Sequence, residues 1–256
     1  MLTGFTPPFT PSGRSALIPA PPWHYAGQVM SLAFHVDQKT AQDLLPEGFG
    51  TATGNAACHF CEWQATTDGS EMLDPIYAQY KECFVVTEVE HSGKLVLYCP
   101  FIYVDQDLSI VRGWMQGWPK KMGSVWMTRS YGLNHPAAAP FQKGVRFGAS
   151  LAVKDRRLAE AQLILTGEEA DPIGFLSLPA YSSASLPSLT DMSSPGRTIL
   201  MRAVTENKVQ GRAYAATGTL NMFDSPHDEL SLLQPESVSN ASISTFALSV
   251  TGASKE

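Results

Sequence analysis

The amino-acid sequence predicts a single, mainly β (α+β) domain, antiparallel in style, with a few short helices. Three observations carry this expectation. Short runs rich in Val, Ile, Tyr and Phe recur along the chain, many alternating apolar with polar residues and separated by turn residues. Helical patterns are brief and show no regular alternation with strands, which argues against a parallel βαβ sheet. The chain has 256 residues, 44% hydrophobic and only 16% charged, which suits one large core better than two small ones.

The elements follow in order. Residues 1–23 are rich in Pro, Ser and Thr and run into Pro19-Ala20-Pro21-Pro22, a composition that predicts an extended arm packed along a domain formed by residues 24–256. Residues 28–36 alternate and predict a strand. Asp37 suits an N-cap, residues 38–45 a short helix with Ala41, Leu44 and Leu45 on one face, and Pro46 its stop. Residues 55–66 read as a second strand and 67–79 as a loop. Residues 80–90 and 95–104 read as paired strands about a turn at 91–94. One or two helical turns are expected over 107–116, and a strand over 125–131. Residues 145–153 and 158–166 predict a hairpin, with Ala159, Ala161, Leu163 and Leu165 on one face. A Ser- and Pro-rich loop is expected over 177–196, then a second hairpin from 199–206 and 209–222. Residues 228–233 suit a helix and 243–250 a closing strand.

Charge and cysteine usage exclude several function classes. The net charge is -6 and the sequence pI about 5.5, with no basic run longer than two residues, so nucleic acid is not an expected partner. The first residues lack the basic-then-apolar pattern of a secretory leader, and no apolar run is long enough to span a bilayer. A cytoplasmic protein without membrane partners is the expectation. Cys58 and Cys61 form a C-x-x-C pair, but Cys83 and Cys99 stand alone. On a strand the pair points to opposite faces, so all four are read as reduced, packed thiols and no metal is expected. The six histidines show no ligand spacing, and no phosphate loop or nucleophile elbow is present.

The most informative stretch is Arg112-Gly-Trp-Met-Gln-Gly-Trp-Pro-Lys-Lys-Met-Gly123. It sets two lysines, Lys120 and Lys121, among Trp114, Trp118, Pro119, Met122, Val125 and Trp126. An ordinary lysine has a pKa near 10.4, so only about 1 in 2,000 is neutral at pH 7. Desolvation and a second cation both lower that value, and a neutral amine attacks a carbonyl carbon to form a Schiff base. Pro-Lys-Lys is also an ordinary turn sequence, so residue chemistry alone leaves both readings open.

The run Gly117-Trp-Pro-Lys-Lys-Met-Gly123 resembles the signature of the acetoacetate decarboxylase-like family, in which an aromatic-Pro-Lys-Lys run carries the Schiff-base lysine followed by its pKa-lowering neighbour. The step Leu44-Leu45-Pro46-Glu47-Gly48 after the first helix, and Gly218-Thr-Leu-Asn-Met-Phe-Asp224 near the end, are similar to the same family, so the resemblance covers residues 24–250. It implies a closed antiparallel β-barrel with extra strands, a lysine in an apolar interior cavity, no metal or organic cofactor, and a homo-oligomer. It assigns the imine to Lys120 and the pKa-lowering role to Lys121. Glu82, in Tyr80-Lys-Glu82, matches a family glutamate that faces the cavity and serves proton transfer, and Tyr80 shares its strand face. Glu62 matches a second family acid only with a one-residue slip, which reverses the face. Gln116 and Trp118, beside the motif, are expected substrate contacts. The family's substrate-binding arginine before the first strand is missing, and Gly27 aligns there.

These residues imply a lyase that forms a Schiff base with a small keto acid. The missing arginine favours aldol condensation of pyruvate with an aldehyde, followed by dehydration. Decarboxylation of acetoacetate or another 3-keto acid through the same imine is the alternative. A β-barrel that binds a small molecule without turnover is a second alternative.

Overall fold

The computed structural model describes residues 1–183, 186, 189–190 and 199–255. The first strand, β1 (Trp23–His35), leads through the helix α1 (Gln38–Asp43) into β2 (Thr51–Thr66). Asp37 caps α1 by accepting a 2.7 Å hydrogen bond from Thr40 N, and such a cap contributes roughly 1 kcal/mol. A single-turn helix, α2 (Pro75–Ala78), precedes the hairpin of β3 (Gln79–His91) and β4 (Lys94–Val104). Then come α3 (Asp107–Gln116), β5 (Lys120–Met122) and β6 (Ser124–Met127). A second hairpin, β7 (Arg146–Val153) and β8 (Arg156–Glu169), is followed by the short β9 (Ala180–Ser183), then β10 (Leu200–Gln210), β11 (Tyr214–Met222) and the long β12 (Val238–Lys255).

Seven strands close into a barrel in the order β1-β2-β3-β4-β9-β10-β12, because β12 pairs along nearly the whole of β1. Beyond that seam β12 also pairs with β11, which carries β8, β7 and β6 outward as a second layer. Pairing is antiparallel except where β4 meets β5 and β9. Strand alternation divides the core. Met30, Leu32, Cys58, Phe60, Cys83 and Val85 face the outer layer. Val29, Cys61, Trp63, Tyr80, Phe84 and Phe246 face the barrel interior. Cys58 and Cys61 thus point to opposite sides of β2, as the alternation requires. All four cysteines are buried and free, and burial pushes the thiols of Cys61, Cys83 and Cys99 well above their usual range. Among the described residues, no group of His, Cys, Asp or Glu is placed to hold a metal, and no helix is long and apolar enough to cross a membrane.

Several elements depart from the sequence reading. The first strand begins at Trp23, inside the stretch read as an arm, and Ile18 is fully buried against Trp23, Leu108 and Val250. The strand expected to reach residue 131 ends at Met127. Residues 230–233 form one 3-10 turn. The hairpin expected from 199–206 and 209–222 is absent: β10 pairs with β9 and β12, whereas β11 pairs with β8 and β12. Asn207-Lys208 is not a turn but a bulge, and β10 continues through it to Gln210. Part of the loop expected over 177–196 is β9, and residues 184–185, 187–188 and 191–196 of it lie outside the described residues.

Candidate active site

The interior of the barrel holds a cavity of ≈ 360 Å³, and Lys120 and Glu82 stand in its wall. Local sequence explains how Lys120 arrives there. The buried face of α3 is Leu108, Ser109, Arg112, Gly113 and Gln116, spaced three and four apart. The helix ends at Gly117, whose φ of 93° is the left-handed C-terminal conformation that favours glycine. The chain turns back at once, with Trp118 N donating to Gly113 O and the Trp114 indole donating to Lys120 O at 2.9 Å each. The three residues of β5 then lie beside β4, with Ile102 paired to Lys120. A strand puts successive side chains on opposite faces, so Lys120 enters the barrel and Lys121 leaves it.

Lys120 is 9% exposed and Glu82 6%. The ammonium Nζ donates to Glu82 Oε2 at 2.5 Å and to Ser109 Oγ at 3.0 Å. The other carboxylate oxygen, Oε1, accepts from the Trp63 indole at 3.3 Å. The Lys120 ammonium also lies 5.5 Å from the centre of the Tyr80 ring. Burial, reinforced by the Glu82 charge, holds the Tyr80 phenol protonated well above its usual range. Tyr25 lines the same cavity against Arg112 and Gln116. Burial pushes Tyr25 up to about 12, with Arg112 pulling it down and Glu82 pushing it up. Both phenols are therefore hydrogen-bond donors throughout the neutral range.

Of the residues singled out from sequence, Lys120, Glu82, Tyr80, Gln116 and Trp118 are brought together around this cavity. Two are not. Lys121 was expected to press on Lys120 as a neighbouring cation. Instead its ammonium pairs with Asp228 on the far side of β5, where Asp228 Oδ1 also accepts from Tyr103 OH at 2.5 Å. Its charge is neutralised there and faces away from the cavity. Glu62 matched a second family acid only through a one-residue slip, which left its face open. The register of β2 puts Trp63 inside, so Glu62 points outward and pairs with Arg129 at 3.1 Å.

Sequence reasoning missed Ser109, Trp63, Tyr25 and Arg112. Ser109, Arg112 and Gln116 recur at helical spacing in the stretch read as helix, and that signal was available. Arg112 is 3% exposed, has no ion-pair partner among the described residues, and its Nε lacks a hydrogen bond. Its guanidinium lies 5.6 Å from the Trp23 ring centre. No arginine can stand at residue 27: a Cβ there would lie 2.1 Å from the Glu62 carbonyl oxygen and 2.6 Å from the Trp63 indole. The indole fills that space.

Comparison with known proteins agrees with this architecture. The acetoacetate decarboxylase family model matches residues 5–255. The chain belongs to the acetoacetate decarboxylase family. Among solved structures, the family fold recurs in MppR, an enduracididine biosynthesis enzyme. The MppR complex with the condensation product of pyruvate and imidazole 4-carboxaldehyde superposes with a TM-score of 0.91 at 28% identity, covering 100% of this chain and 97% of MppR. The MppR complex with pyruvate gives 0.90 at 28% identity, covering 100% and 98%. An acetoacetate decarboxylase-like enzyme from Sphingomonas wittichii RW1 shares the fold at 21% identity, with a TM-score of 0.89 and coverage of 99% and 100%. A search of curated proteins finds no match.

Proposed function

We propose that this family member is a lyase that forms a Schiff base between Lys120 and a small 2-keto acid of the pyruvate type, condenses the resulting enamine with an aldehyde, and eliminates water. The observation that carries this reading is the 2.5 Å contact between Lys120 Nζ and Glu82 Oε2 in an aromatic-walled cavity. Transfer of one proton across this contact, from Lys120 Nζ to Glu82 Oε2, gives a neutral amine nucleophile and a carboxylic acid. The amine attacks the keto carbon, Glu82 protonates the departing hydroxyl, and water leaves the imine. As a carboxylate again, Glu82 takes a methyl proton and the enamine forms. Ser109 and Tyr80 position the nitrogen. Tyr25 and Gln116, backed by Arg112, receive the carboxylate of the keto acid. MppR, which binds pyruvate and a pyruvate–aldehyde condensation product, supports the choice of substrate.

Decarboxylation of a 3-keto acid is the second reading, favoured by the family model itself. The family's substrate-holding arginine has no counterpart at residue 27, where the Trp63 indole fills the space, and that works against it. Borohydride trapping with intact-protein mass and peptide mapping, run with pyruvate and with acetoacetate, separates the readings. The expected result is a reduced pyruvate adduct on Lys120 and no carbon dioxide from acetoacetate. Acetone release from acetoacetate would establish decarboxylation instead. No adduct with either acid would point to a binding protein.

A further inference from the structure

The cavity is larger than its keto acid. Its ≈ 360 Å³ lies within the roughly 300–1,000 Å³ that encloses drug-sized ligands, whereas pyruvate has three carbons. It is also zoned. One end carries Lys120, Glu82, Gln116 and Tyr25. The middle is aromatic, from Trp63, Phe84, Trp118, Phe175 and Phe246. Arg202 and Lys208 of β10 line the cavity while being exposed, so they stand at its open side, or mouth. Among the described residues that line the cavity, Glu82 is the only carboxylate, against the cations Lys120, Arg202 and Lys208, in a protein whose net charge is -6. Glu82 is matched by Lys120, which leaves the mouth electropositive.

Two details make the mouth a built feature. Among the described residues neither Arg202 nor Lys208 has an ion-pair partner, and the Arg202 guanidinium rests 5.7 Å from the ring centre of Tyr181. The bulge in β10 decides where Lys208 goes. Glu206 pairs with Ser249 and Val209 with Ala247, so Asn207 and Lys208 together oppose Leu248. Asn207 takes up the extra residue with a φ of 49°, a conformation that asparagine tolerates. Without the bulge, residue 208 would oppose Ala247, the position that Val209 occupies outside the cavity. Bulges beside active sites re-aim side chains in this way.

We infer that the aldehyde partner has a flat apolar or aromatic body and a terminal anion, carboxylate or phosphate, with the body held by the aromatic part of the cavity and the anion drawn by the cations on its open side, Arg202 and Lys208. This inference rests on the proposed aldol reading of the same site. In the reaction the enamine carbon, formed from the methyl group, bonds to the aldehyde carbon. Glu82, as the acid, protonates the new alkoxide. Glu82, a carboxylate again, takes the second proton from the former methyl carbon and passes it to the hydroxyl, which leaves as water, and addition of water to the iminium frees Lys120 and an unsaturated keto acid. The carbon–carbon double bond joins the keto acid end to the body that carries the distal anion.

The test uses the full chain with pyruvate and three aldehydes: benzaldehyde, 4-carboxybenzaldehyde and 4-formylphenyl phosphate. The expected kcat/KM for an anionic aldehyde exceeds that for benzaldehyde by about tenfold, the scale of two exposed charge contacts. The double variant Arg202→Gln/Lys208→Gln brings that ratio to one, and Arg202→Lys/Lys208→Arg restores it. The better of the two anionic aldehydes identifies the anion. Equal kcat/KM for charged and neutral aldehydes overturns the inference. So does a ratio that survives the double variant while the KM for pyruvate rises, since the cations would then only steer the keto acid. Borohydride trapping of preformed benzylidenepyruvate and its 4-carboxy derivative separates this from the aldol reading. If no aldehyde is turned over, yet the carboxylated compound is trapped on Lys120 at lower concentration and the double variant loses that preference, the mouth assignment stands and the aldol reading falls.

Discussion

Gly113 lies against the stem of Lys120: a Cβ added to Gly113 would stand 2.4 Å from Lys120 Cδ. The missing side chain is what lets α3 approach β5 closely enough for Ser109 to reach the ammonium. Gly113→Ala forces helix or lysine to move, and overpacking of this kind costs about 1–3 kcal/mol. The protein should stay folded with a lower Tm, while imine formation slows about 100-fold, the scale of a 1 Å misplacement. Thermal melts together with trapping rates check this. An unchanged trapping rate would show that α3 does not set the position of Lys120.

Lys120→Ala should abolish the reducible adduct outright. Glu82→Gln keeps an acceptor for the Trp63 indole but removes the proton carrier, so turnover should fall by about 10²–10⁴. Steady-state kinetics with pyruvate and benzaldehyde measure it, and a loss below tenfold would assign proton transfer to another group.

Lys121→Ala should leave the pH profile of imine trapping where it is, because Lys121 faces away from the cavity and is neutralised by Asp228. Asp228→Ala should instead lower stability by about 1–3 kcal/mol, since the buried Tyr103 hydroxyl loses its acceptor. A profile displaced by Lys121→Ala would restore the neighbouring-cation role.

Arg112→Gln should raise the KM for pyruvate severalfold with a smaller change in kcat, because Tyr25 loses the cation that orients it toward the carboxylate. A variant that loses kcat at constant KM would move Arg112 from carboxylate binding to the chemical step.

His59 is fully buried, bonded to Ser31 Oγ at 2.9 Å, and its Nε2 has no partner. Burial lowers its pKa from 6.5 to about 3, so it is neutral in the folded protein near pH 7. Between those values the unfolded chain binds a proton that the folded chain does not. Stability therefore falls as the pH drops below about 6.5, by up to about 1.4 kcal/mol per pH unit. His59→Gln should flatten that limb by one proton in urea titrations from pH 7 to 5. An unchanged slope would place the acid sensitivity elsewhere.

Legibility followed the range of the interaction. The hairpins β3–β4 and β7–β8 were readable because each joins neighbouring alternating runs through a short turn. Lys120, Glu82 and Tyr80 were readable because motif and strand parity are local. Pairing across the chain was not. Residues 200–210 and 214–222 look like hairpin partners, yet both pair with β12, and only the closed barrel decides that. Glu62 failed on parity, since one residue of slip exchanges it with Trp63. Lys121 failed because adjacency in sequence reads as adjacency in space, which a strand denies. Arg112 escaped because its importance lies in the lack of an acidic partner, a property of the packed state.

The seam between β1 and β12, where Trp23 meets Val250, sets an order of events during synthesis. The ribosome delivers Lys120 long before it delivers the last stave of the barrel. Until Phe246, Leu248 and Val250 arrive, the chamber has no far wall and Lys120 stays open to water. The enclosed cavity therefore comes into being only when the two ends of the fold are stitched together.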